Sequence, residues 1–240
     1  MPIGVDIFSG AGGLSLGAEM AGVQIRFAVE KDKSAAETYS YNHPNTLMLQ
    51  DDIHNIKPND YLGDRNAPLI VFGGPPCQGF SLSNTKTRNK QNPNNTLFEE
   101  FVRFVSDLKP DWFVFENVEG FLRFEKGETR DIVKKCFEDL SYTVNDTILI
   151  ASDYGVPQHR NRYFMVGSAN GIEFEFPEKK NVMYSVEDAI GDLPVLENGQ
   201  MEDMMSYRKP LAKAGEYAKL MRQGSRKATQ NYVSRNADYV

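Results

Sequence analysis

The residue with the most reactive chemistry in this chain is a cysteine that follows two glycines and two prolines. Cys77 lies in the stretch "LIVFGGPPCQGFS", residues 69–81, directly after an apolar run. The prolines restrict the backbone before the thiol and provide no N–H groups. A cysteine acts as a nucleophile through its thiolate, which requires cationic neighbours or a polarised backbone. We expect Cys77 to be a nucleophile at the end of a buried strand, rather than a small buried hydrophobic residue.

Two further motifs carry residues that can act together with this thiol. The stretch "FENV" places Glu116 at the end of a later apolar run, and "QHRNRYF" carries Arg160 and Arg162. Residues two positions apart on an extended segment point to the same side, so both guanidinium groups are available to one site. A carboxyl group buried in a crevice is expected to have a raised pKa and to donate a proton or a hydrogen bond. The alternative for Glu116 is a structural acid paired with an arginine.

A glycine-rich stretch near the N-terminus predicts a tight turn between a strand and a helix. Gly10, Gly12 and Gly13 allow a ligand to approach the backbone closely. The dinucleotide-binding fingerprint needs glycine at position 15, where Ser15 stands, and the lysine of a phosphate-binding loop is absent. A purely structural turn is an equally good explanation at this point.

Three side chains near the predicted strand ends favour a nucleoside ligand. Glu30 follows Gly13 by seventeen residues and ends the next predicted strand, where a carboxylate commonly binds two ribose hydroxyls. Phe8 is placed to lie against an adenine ring, and Asp52 to accept a hydrogen bond from the adenine amino group. Singly, each is as well explained as a capping acid, a solvated acid or a core phenylalanine. Together they indicate an adenosine-containing cofactor that needs no pyrophosphate cradle.

These residues require a sheet that brings the strand ends together. Apolar runs predict strands at 3–8, 24–30, 68–74 and 111–117, with a weaker one at 46–50, and helical patterns lie near 12–21, 33–42, 96–108 and 128–140. This alternation predicts an α/β fold of right-handed βαβ units around a parallel sheet covered on both faces. The runs 142–150 and 162–168 predict an antiparallel edge hairpin, and 185–194 a short helix. Ligands of such sheets bind beyond the carboxyl ends of the strands, where each of the five predicted strands carries a candidate residue.

Composition limits the class of protein further. The 240 residues, 40% hydrophobic and 25% charged, suit one large globular domain with an appendage. No apolar run approaches the ~20 residues of a bilayer span, and the N-terminus lacks the basic start of a signal peptide. Two cysteines, and three histidines without metal-ligand spacing, predict a reducing cytosol, no disulfide framework and no metal. Cys136 falls with Ile132, Phe137 and Leu140 on an apolar helix face and is expected to pack in the core.

The charge distribution permits a polyanionic partner without requiring one. The net charge is -6, but residues 201–240 hold eight Lys/Arg against four Asp/Glu, or +4, which leaves -10 for the remainder. A second basic cluster, formed by Lys86, Arg88 and Lys90, follows Cys77. A solvated surface is the simpler explanation of each cluster on charge alone.

The motifs closely resemble those of the cytosine-C5 DNA methyltransferase family. "DIFSGAGGLSLG" resembles its first motif, "GGPPCQGFS" its nucleophile motif, "ENV" its glutamate motif and "QHRNRYFMVG" its arginine motif, in the same order and spacing. The resemblance covers roughly residues 3–195. It implies a Rossmann-like fold of class I S-adenosylmethionine-dependent methyltransferases, with a mostly parallel seven-stranded sheet and an antiparallel edge hairpin.

The resemblance also implies roles for individual residues. The S-adenosylmethionine pocket would be lined by Phe8, Gly10, Gly12, Leu14, Glu30, Asp52, Pro76 and Leu97, and S-adenosylhomocysteine would be the product. Cys77 would be the nucleophile, Glu116 would contact the cytosine, and Arg160 and Arg162 would support both. DNA contacts would come from Ser81, Lys86, Arg88 and Lys90, within a loop (80–95) that would act as a lid. Lys31 stands where the family often has an aromatic residue, so it is not assigned to the pocket.

The chemistry implied by the resemblance explains the stiff approach to Cys77. Addition of the thiolate at C6 of cytosine turns the ring into an enamine, and a hydrogen-bonded Glu116 stabilises the developing charge. C5 then takes the methyl group, and loss of the C5 proton with elimination of the thiol releases 5-methylcytosine. Since none of this is possible inside a stacked duplex, the base must be flipped out.

Three other functions stay open at this level. An RNA branch of the same family would use these residues on tRNA, and a regulatory homologue would keep the fold without catalysis. An amino-methyltransferase of adenine or cytosine would need Asp or Asn before the two prolines and an aromatic residue after them, whereas the chain has Gly74 and Cys77.

Members of the family normally continue beyond this length. They carry a target-recognition region and a late segment with a Gly-Asn pair that closes the cofactor pocket. We therefore expect a catalytic and cofactor-binding domain at 1–170 and a partial extension at 171–240. The predicted partners are double-stranded DNA and a second polypeptide or C-terminal part that completes the enzyme, within a restriction-modification system of the bacterial cytosol.

Overall fold

The computed structural model of the chain describes residues 1–76, 97–195, 204–222 and 227–229. Within these ranges the strands are β1 (Ile3–Ile7), β2 (Gln24–Glu30), β3 (Leu47–Gln50), β4 (Leu69–Gly73), β5 (Trp112–Val118), β6 (Thr143–Ile150), β7 (Asn161–Ser168), β8 (Met204–Ser206) and β9 (Lys227–Thr229). The α-helices are α1 (Gly13–Met20), α2 (Lys33–Asn42), α3 (Asn59–Leu62), α4 (Leu97–Leu108), α5 (Glu128–Asp139), α6 (Val186–Ile190) and α7 (Glu216–Arg222). Short 3-10 segments cover Ile53–Asn55, Glu119–Gly127, Ala151–Tyr154 and Leu211–Lys213.

Strands β1 to β7 form one sheet in the order β3-β2-β1-β4-β5-β7-β6. The pairs β1–β2, β1–β4, β2–β3 and β4–β5 are parallel, and β7 runs antiparallel to β5. The predicted mostly parallel sheet with an antiparallel strand near its edge is therefore confirmed. Because the first five strands are parallel, their carboxyl ends meet at one edge of the sheet.

An aromatic core holds helices α4 and α5 against the sheet. The buried face of α4 repeats at helical spacing and consists of Phe101, Phe104, Val105 and Leu108. Phe101 packs edge-on against Phe113 of β5 and Phe137 of α5, whose two rings stack 4.1 Å apart. Burial of each such ring contributes about 1.5–3 kcal/mol. The helix that follows residue 96 is thereby fixed relative to the end of β4.

The apolar face of helix α5 differs from the predicted one. Val133 and Phe137 are buried, four positions apart, but Ile132 is 53% exposed. One position along a helix is a rotation of about 100°, which turns Ile132 away from the core. Cys136 is partly buried, and burial raises the pKa of its thiol. The prediction that Ile132 shares the core face with Phe137 is wrong.

Several short helices and strands were not predicted, and one helix is shorter than predicted. Helix α6 ends at Ile190, whereas the prediction extended it to residue 194. Pro194 disfavours helical backbone at the residue before it, which shortens the helix. Helices α3 and α7 and strands β8 and β9 contain three to seven residues, too few for a periodic pattern to be recognised.

The chain divides into two compact units, one of residues 1–149 and 161–177 and one of residues 150–160 and 178–240. In the second unit, Arg222 of α7 forms a buried ion pair with Asp192, with Nε 2.7 Å from the carboxylate, and its guanidinium lies over the ring of Tyr207. The predicted boundary at residue 170 stays a prediction. No helix within the described ranges is both long and apolar enough to cross a membrane.

Candidate active site

A cavity of about 490 Å³ lies in the first unit, at the carboxyl ends of β1 to β4. Its lining consists of Phe8, Val29, Glu30, Lys31, Asp51, Asp52, Ile53, His54, Gly74, Pro76 and Leu97. Five of the residues predicted for the cofactor pocket are among them: Phe8, Glu30, Asp52, Pro76 and Leu97. The structure thus brings together side chains that follow four different strands, together with the first residue of α4.

The carboxylate of Glu30 is oriented by two backbone N–H groups. The N–H of Gly10 donates to Oε2 and the N–H of Asp32 donates to Oε1, each at 2.8 Å. A carboxylate oxygen has about two acceptor positions, so each oxygen keeps one for a ligand. Glu30 therefore joins the glycine turn to the end of β2 and presents paired acceptors suited to a diol.

A sharp turn after β1 brings an aromatic ring to the cavity. Phe8 has a φ of 59°, in the left-handed region that non-glycine residues rarely adopt. Such a conformation costs on the order of 1–3 kcal/mol and persists only where the surrounding structure fixes it. Strain of this kind is common at ligand sites, and here it lies directly at the cavity wall.

Three residues predicted for the pocket lie outside the cavity lining. Gly10 acts through its N–H on Glu30. Gly12 has a φ of 94°, and a Cβ there would lie 2.3 Å from Nε2 of His43, so glycine is required for packing. Leu14 lines a separate apolar cavity of about 270 Å³ between α1 and strands β4 and β5. Their assignment to a cofactor stays a prediction.

Asp52 is held as a carboxylate by two neighbours that the sequence analysis did not assign. Nζ of Lys31 lies 2.7 Å from Oδ2, and the backbone N and Nδ1 of His54 lie 3.1 and 2.5 Å from Oδ1. These hydrogen bonds, that of Lys31 foremost, hold the pKa of Asp52 well below its ordinary value. Asp52 therefore presents an ionised acceptor at the cavity wall. The only hint of this contact in the sequence was that Lys31 stands where the family often has an aromatic residue.

Helix α4 fixes the wall that carries Asp52. The guanidinium of Arg103 donates to the carbonyl of Ile56 at 3.1 Å and to the carbonyl of Ile53 at 2.9 Å. These two bonds close the 3-10 turn after Asp52 onto the helix. Nothing in the local sequence indicates this contact, because the partners are about fifty positions apart.

Glu116 and Arg162 form an ion pair across β5 and β7. Glu116 pairs in register with Phe164, and Arg162 with Val118, so the two charged side chains are diagonal neighbours on one face. Nε of Arg162 lies 2.8 Å from Oε1 of Glu116, and each side chain is 22% exposed. An arginine beside Glu116 is expected if Glu116 is a structural acid, and also if it is a catalytic carboxylate. The ion pair alone therefore does not distinguish the two roles.

The segment between β4 and the predicted nucleophile is tied to β5. A Cβ at Gly74 would lie 2.7 Å from Oε2 of Glu116, so glycine there makes room for the carboxylate. Gly74 also lines the cavity, so the Glu116 carboxylate lies against one of the lining residues without being part of the lining itself. The buried Asn117 donates from Nδ2 to the carbonyl of Pro75 at 3.3 Å, a tether within the "ENV" motif that the sequence analysis did not assign.

Several predicted site residues lie outside the described residues: Cys77, Ser81, Lys86, Arg88 and Lys90, with the loop 80–95. Arg160 is exposed, precedes β7 and belongs to the second unit. The roles of these residues stay predictions.

The residues of the cavity fit an adenosine-containing cofactor. Phe8 supplies an aromatic face, Glu30 free acceptor positions for two hydroxyls, and Asp52 an ionised acceptor for an amino group. A volume of about 490 Å³ falls within the range of small-molecule sites, about 300–1,000 Å³. No group in the lining replaces the lysine of a phosphate-binding loop at the glycine turn.

Comparison with known proteins gives a consistent result. The model of the family described as C-5 cytosine-specific DNA methylase matches residues 4–239. A solved structure assigned as a DNA modification methyltransferase encoded within a prophage (E. coli) has a TM-score of 0.74 and 32% identity, and the match covers 92% of this chain and 64% of that one.

Two curated relatives differ in how much of their length is matched. Type II methyltransferase M.DdeI of Desulfomicrobium norvegicum is 39% identical over 235 residues, which are 92% of this chain and 55% of the relative. Type II methyltransferase M.AquIA of Picosynechococcus is 38% identical over 186 residues, 72% of this chain and 75% of the relative. This chain thus spans about half of M.DdeI, and M.AquIA is itself a much shorter protein.

Proposed function

This chain belongs to the C-5 cytosine-specific DNA methylase family, and we propose that it is the catalytic part of a DNA (cytosine-5)-methyltransferase of a bacterial restriction-modification system. One observation carries the proposal. The Glu116 carboxylate, paired with Arg162, lies against Gly74, which lines the cavity whose donors and acceptors suit an adenosine-containing cofactor. A cavity for a methyl donor and a carboxylate that could bind the target cytosine therefore lie near each other at one edge of the sheet.

S-Adenosylmethionine is the cofactor that this cavity would hold. Glu30 would bind the ribose hydroxyls, Phe8 would supply an aromatic face for the adenine, and Asp52 would accept from the adenine amino group, with Pro76 and Leu97 as apolar walls. When bound, the cofactor would supply an electrophilic methyl group for C5 of the target base.

The chain's own residues activate the base. The thiolate of Cys77, the residue after Pro76, adds to C6 of cytosine, and the ring electrons move toward C5. Glu116 binds the N3 and amino edge and stabilises the charge that develops there, while Arg162 orients the Glu116 carboxylate. After methylation the C5 proton is lost to a base and the Cys77–C6 bond breaks, which restores the thiolate and releases 5-methylcytosine.

Target DNA enters by base flipping. The cavity edge accepts a base only when the base has left the duplex stack. Ser81, Lys86, Arg88 and Lys90 are the proposed DNA contacts around the flipped nucleotide, and Arg160 supports Cys77. Contacts to phosphates position the protein, whereas sequence is read by side chains in a groove.

We further propose that a second polypeptide, or a further C-terminal part, supplies target recognition. The match covers 55% of M.DdeI, so the relative has a large part that this sequence does not contain. The first unit also has an apolar cavity that includes Val23, Ile70 and Phe72, with Leu16 and Met20 exposed nearby on α1. Apolar surface of this kind marks an interaction site.

Trapping with modified DNA tests the mechanism. The chain, combined with the polypeptide that completes it, is incubated with S-adenosylmethionine and duplex DNA that contains 5-fluorocytosine. Fluorine replaces the proton that must leave C5, so the Cys77 adduct accumulates and migrates as a denaturant-resistant complex. Cys77→Ser should give no complex, and Cys136→Ser, which alters a partly buried helix residue, should give the wild-type yield. Methylation without any adduct, or full activity in Cys77→Ser, would rule out the mechanism, and preferential labelling of tRNA would favour the RNA branch.

A further inference from the structure

His43 is a buried histidine that the proposed reaction does not use. It follows α2 directly, is 3% exposed, and its ring lies 4.5 Å from the ring of Tyr39. Both ring nitrogens face oxygen atoms. Nδ1 lies 2.9 Å from Oε2 of Glu19 on α1, and Nε2 lies 3.1 Å from the carbonyl oxygen of Gly12. His43 thus bridges a helix and the glycine turn.

The chemistry of the two partners defines what the bridge requires. A carbonyl oxygen only accepts hydrogen bonds, and so does an ionised carboxylate. A neutral imidazole has a single N–H, so it satisfies one of these contacts and directs a lone pair at the other. Both contacts are hydrogen bonds together only when His43 is an imidazolium and donates from both nitrogens.

Loss of one proton from His43 would break its hydrogen bond to Gly12 of the glycine turn and keep its hydrogen bond to Glu19 of α1. The bond between Nδ1 and the Glu19 carboxylate is charge-assisted and stronger than a bond to a carbonyl. The remaining proton therefore stays on Nδ1, and the lone pair of Nε2 then faces the carbonyl oxygen of Gly12. This contact is repulsive, and packing allows no simple retreat, since a Cβ at Gly12 would already overlap the ring.

The turn is connected to the cavity by further hydrogen bonds. The N–H of Gly12 donates to the carbonyl of Ser9 at 3.0 Å, and the N–H of Gly10 donates to Oε2 of Glu30 at 2.8 Å. A shift of Gly12 therefore moves the groups that orient the Glu30 carboxylate. The path from the His43 ring to the cavity wall runs through three hydrogen bonds, each of which involves a backbone group of the turn.

We propose that His43 is a positioning residue of the cofactor site, which as an imidazolium clamps the glycine turn through Gly12 and Glu19. This inference rests on the proposed function for the identity of the cofactor. Cofactor affinity then falls when His43 loses its proton. The expected loss is about fivefold, the equivalent of one net hydrogen bond of about 1 kcal/mol.

Other titratable groups pack around His43 and enter the design of the test. Glu19 faces it from α1, and the ring of Tyr39 on α2 packs against it at a tilt, with the Tyr39 hydroxyl 2.7 Å from Oγ of Ser15. Ser15 in turn donates to Asp6 of β1, whose pKa is raised to about 7 by burial. His54 lines the cavity itself. A variant of His43 leaves Asp6 and His54 intact, so it separates the effect of His43 from theirs.

The experiment measures binding of S-adenosylhomocysteine by calorimetry at pH 6 and pH 8, with the 240-residue chain. The wild type should bind about fivefold more weakly at pH 8. His43→Gln keeps a side-chain N–H donor for Gly12 without a titratable proton, and Glu19→Gln replaces the carboxylate by an amide that also donates. Both should fold and bind with little dependence on pH. His159→Gln, an exposed position in the second unit, should behave as the wild type.

A second readout does not depend on the ligand. Nitrogen-15 NMR of the histidine rings, with His43 assigned by its absence in His43→Gln, should show both ring nitrogens protonated at pH 6 and one at pH 8. The amide signals of Gly10 and Gly12 should change over the same pH range in the wild type and not in Glu19→Gln. If the chain binds no cofactor in any variant, cofactor binding by this chain alone fails while these spectra still decide the clamp. Equal wild-type affinity at both pH values, persistence of the pH dependence in His43→Gln, or pH-independent glycine amides would overturn the proposal.

Discussion

Glu30 connects the backbone of the glycine turn to the wall of the cavity, since both of its oxygens accept from backbone N–H groups. Glu30→Ala removes the acceptors for the ribose and loosens the turn. We predict a loss of about 1–3 kcal/mol in S-adenosylhomocysteine binding, measured by calorimetry, because buried hydroxyls are left unpaired. Glu37→Ala, an exposed glutamate on α2, serves as the control and should bind normally. Equal affinities for the wild type and Glu30→Ala would show that the ribose assignment is wrong.

Glu116 lies outside the cavity lining, and its carboxylate lies against the lining residue Gly74. The substitution Glu116→Gln keeps the size of the side chain but changes its pairing with Arg162. Cofactor binding should be unchanged, while single-turnover methyl transfer by the completed enzyme slows by about 10²-fold or more, because a contact of the transition state is lost. A parallel loss of cofactor affinity would instead identify Glu116 as a structural acid of the pocket.

Strand β1 and helix α1 are joined by a buried carboxyl group. Ser15 donates from Oγ to Oδ2 of Asp6 at 2.7 Å, and Oδ1 has no hydrogen-bond partner among the described residues. Burial raises the pKa of Asp6 from 3.8 to about 7. The native state therefore holds a proton that the unfolded chain has released, and the stability of the native state falls as the pH rises from about 4 to about 7.

The variant Asp6→Asn removes this titration from the β1–α1 contact. Relative to the variant, the wild type should lose on the order of 2 kcal/mol of unfolding free energy between pH 5 and pH 8. Urea unfolding of both proteins at the two pH values measures the difference. A wild type that gains stability relative to Asp6→Asn over this range would contradict the buried, protonated state of Asp6.

At the scale of elements, the sequence predicted what depends on local periodicity. The alternation of apolar runs and helical patterns predicted the order of strands and helices along the first unit. The segment between β6 and β7 is too short for a helix, which predicted the edge hairpin. Contacts between distant segments were not predictable. Lys31 meets Asp52, 21 positions away, and His43 meets Gly12, 31 positions away, only because the fold brings these segments together. The prediction for Ile132 was wrong for a local reason. It relied on the apolar type of the side chain and not on the position of residue 132 around the axis of α5.

At the scale of the whole molecule, charge and the length shared with relatives bear on the proposed completing part. The net charge of -6 disfavours DNA in general, and the basic residues of 201–240 alone would support only weak, salt-sensitive binding. The match to the relative M.DdeI covers 55% of that protein. The proposed division between a catalytic part and a target-recognition part would account for both features.

Transfer of a labelled methyl group from S-adenosylmethionine to mixed-sequence DNA, with identification of the modified nucleoside, tests the central claim most directly. The account predicts little incorporation by the 240-residue chain alone. Addition of the completing polypeptide should produce 5-methylcytosine at one DNA sequence, and Cys77→Ser should abolish it. Robust, sequence-specific methylation by the chain alone would contradict the split, and formation of N4-methylcytosine or N6-methyladenine, or methylation unaffected by Cys77→Ser, would contradict the proposed activity.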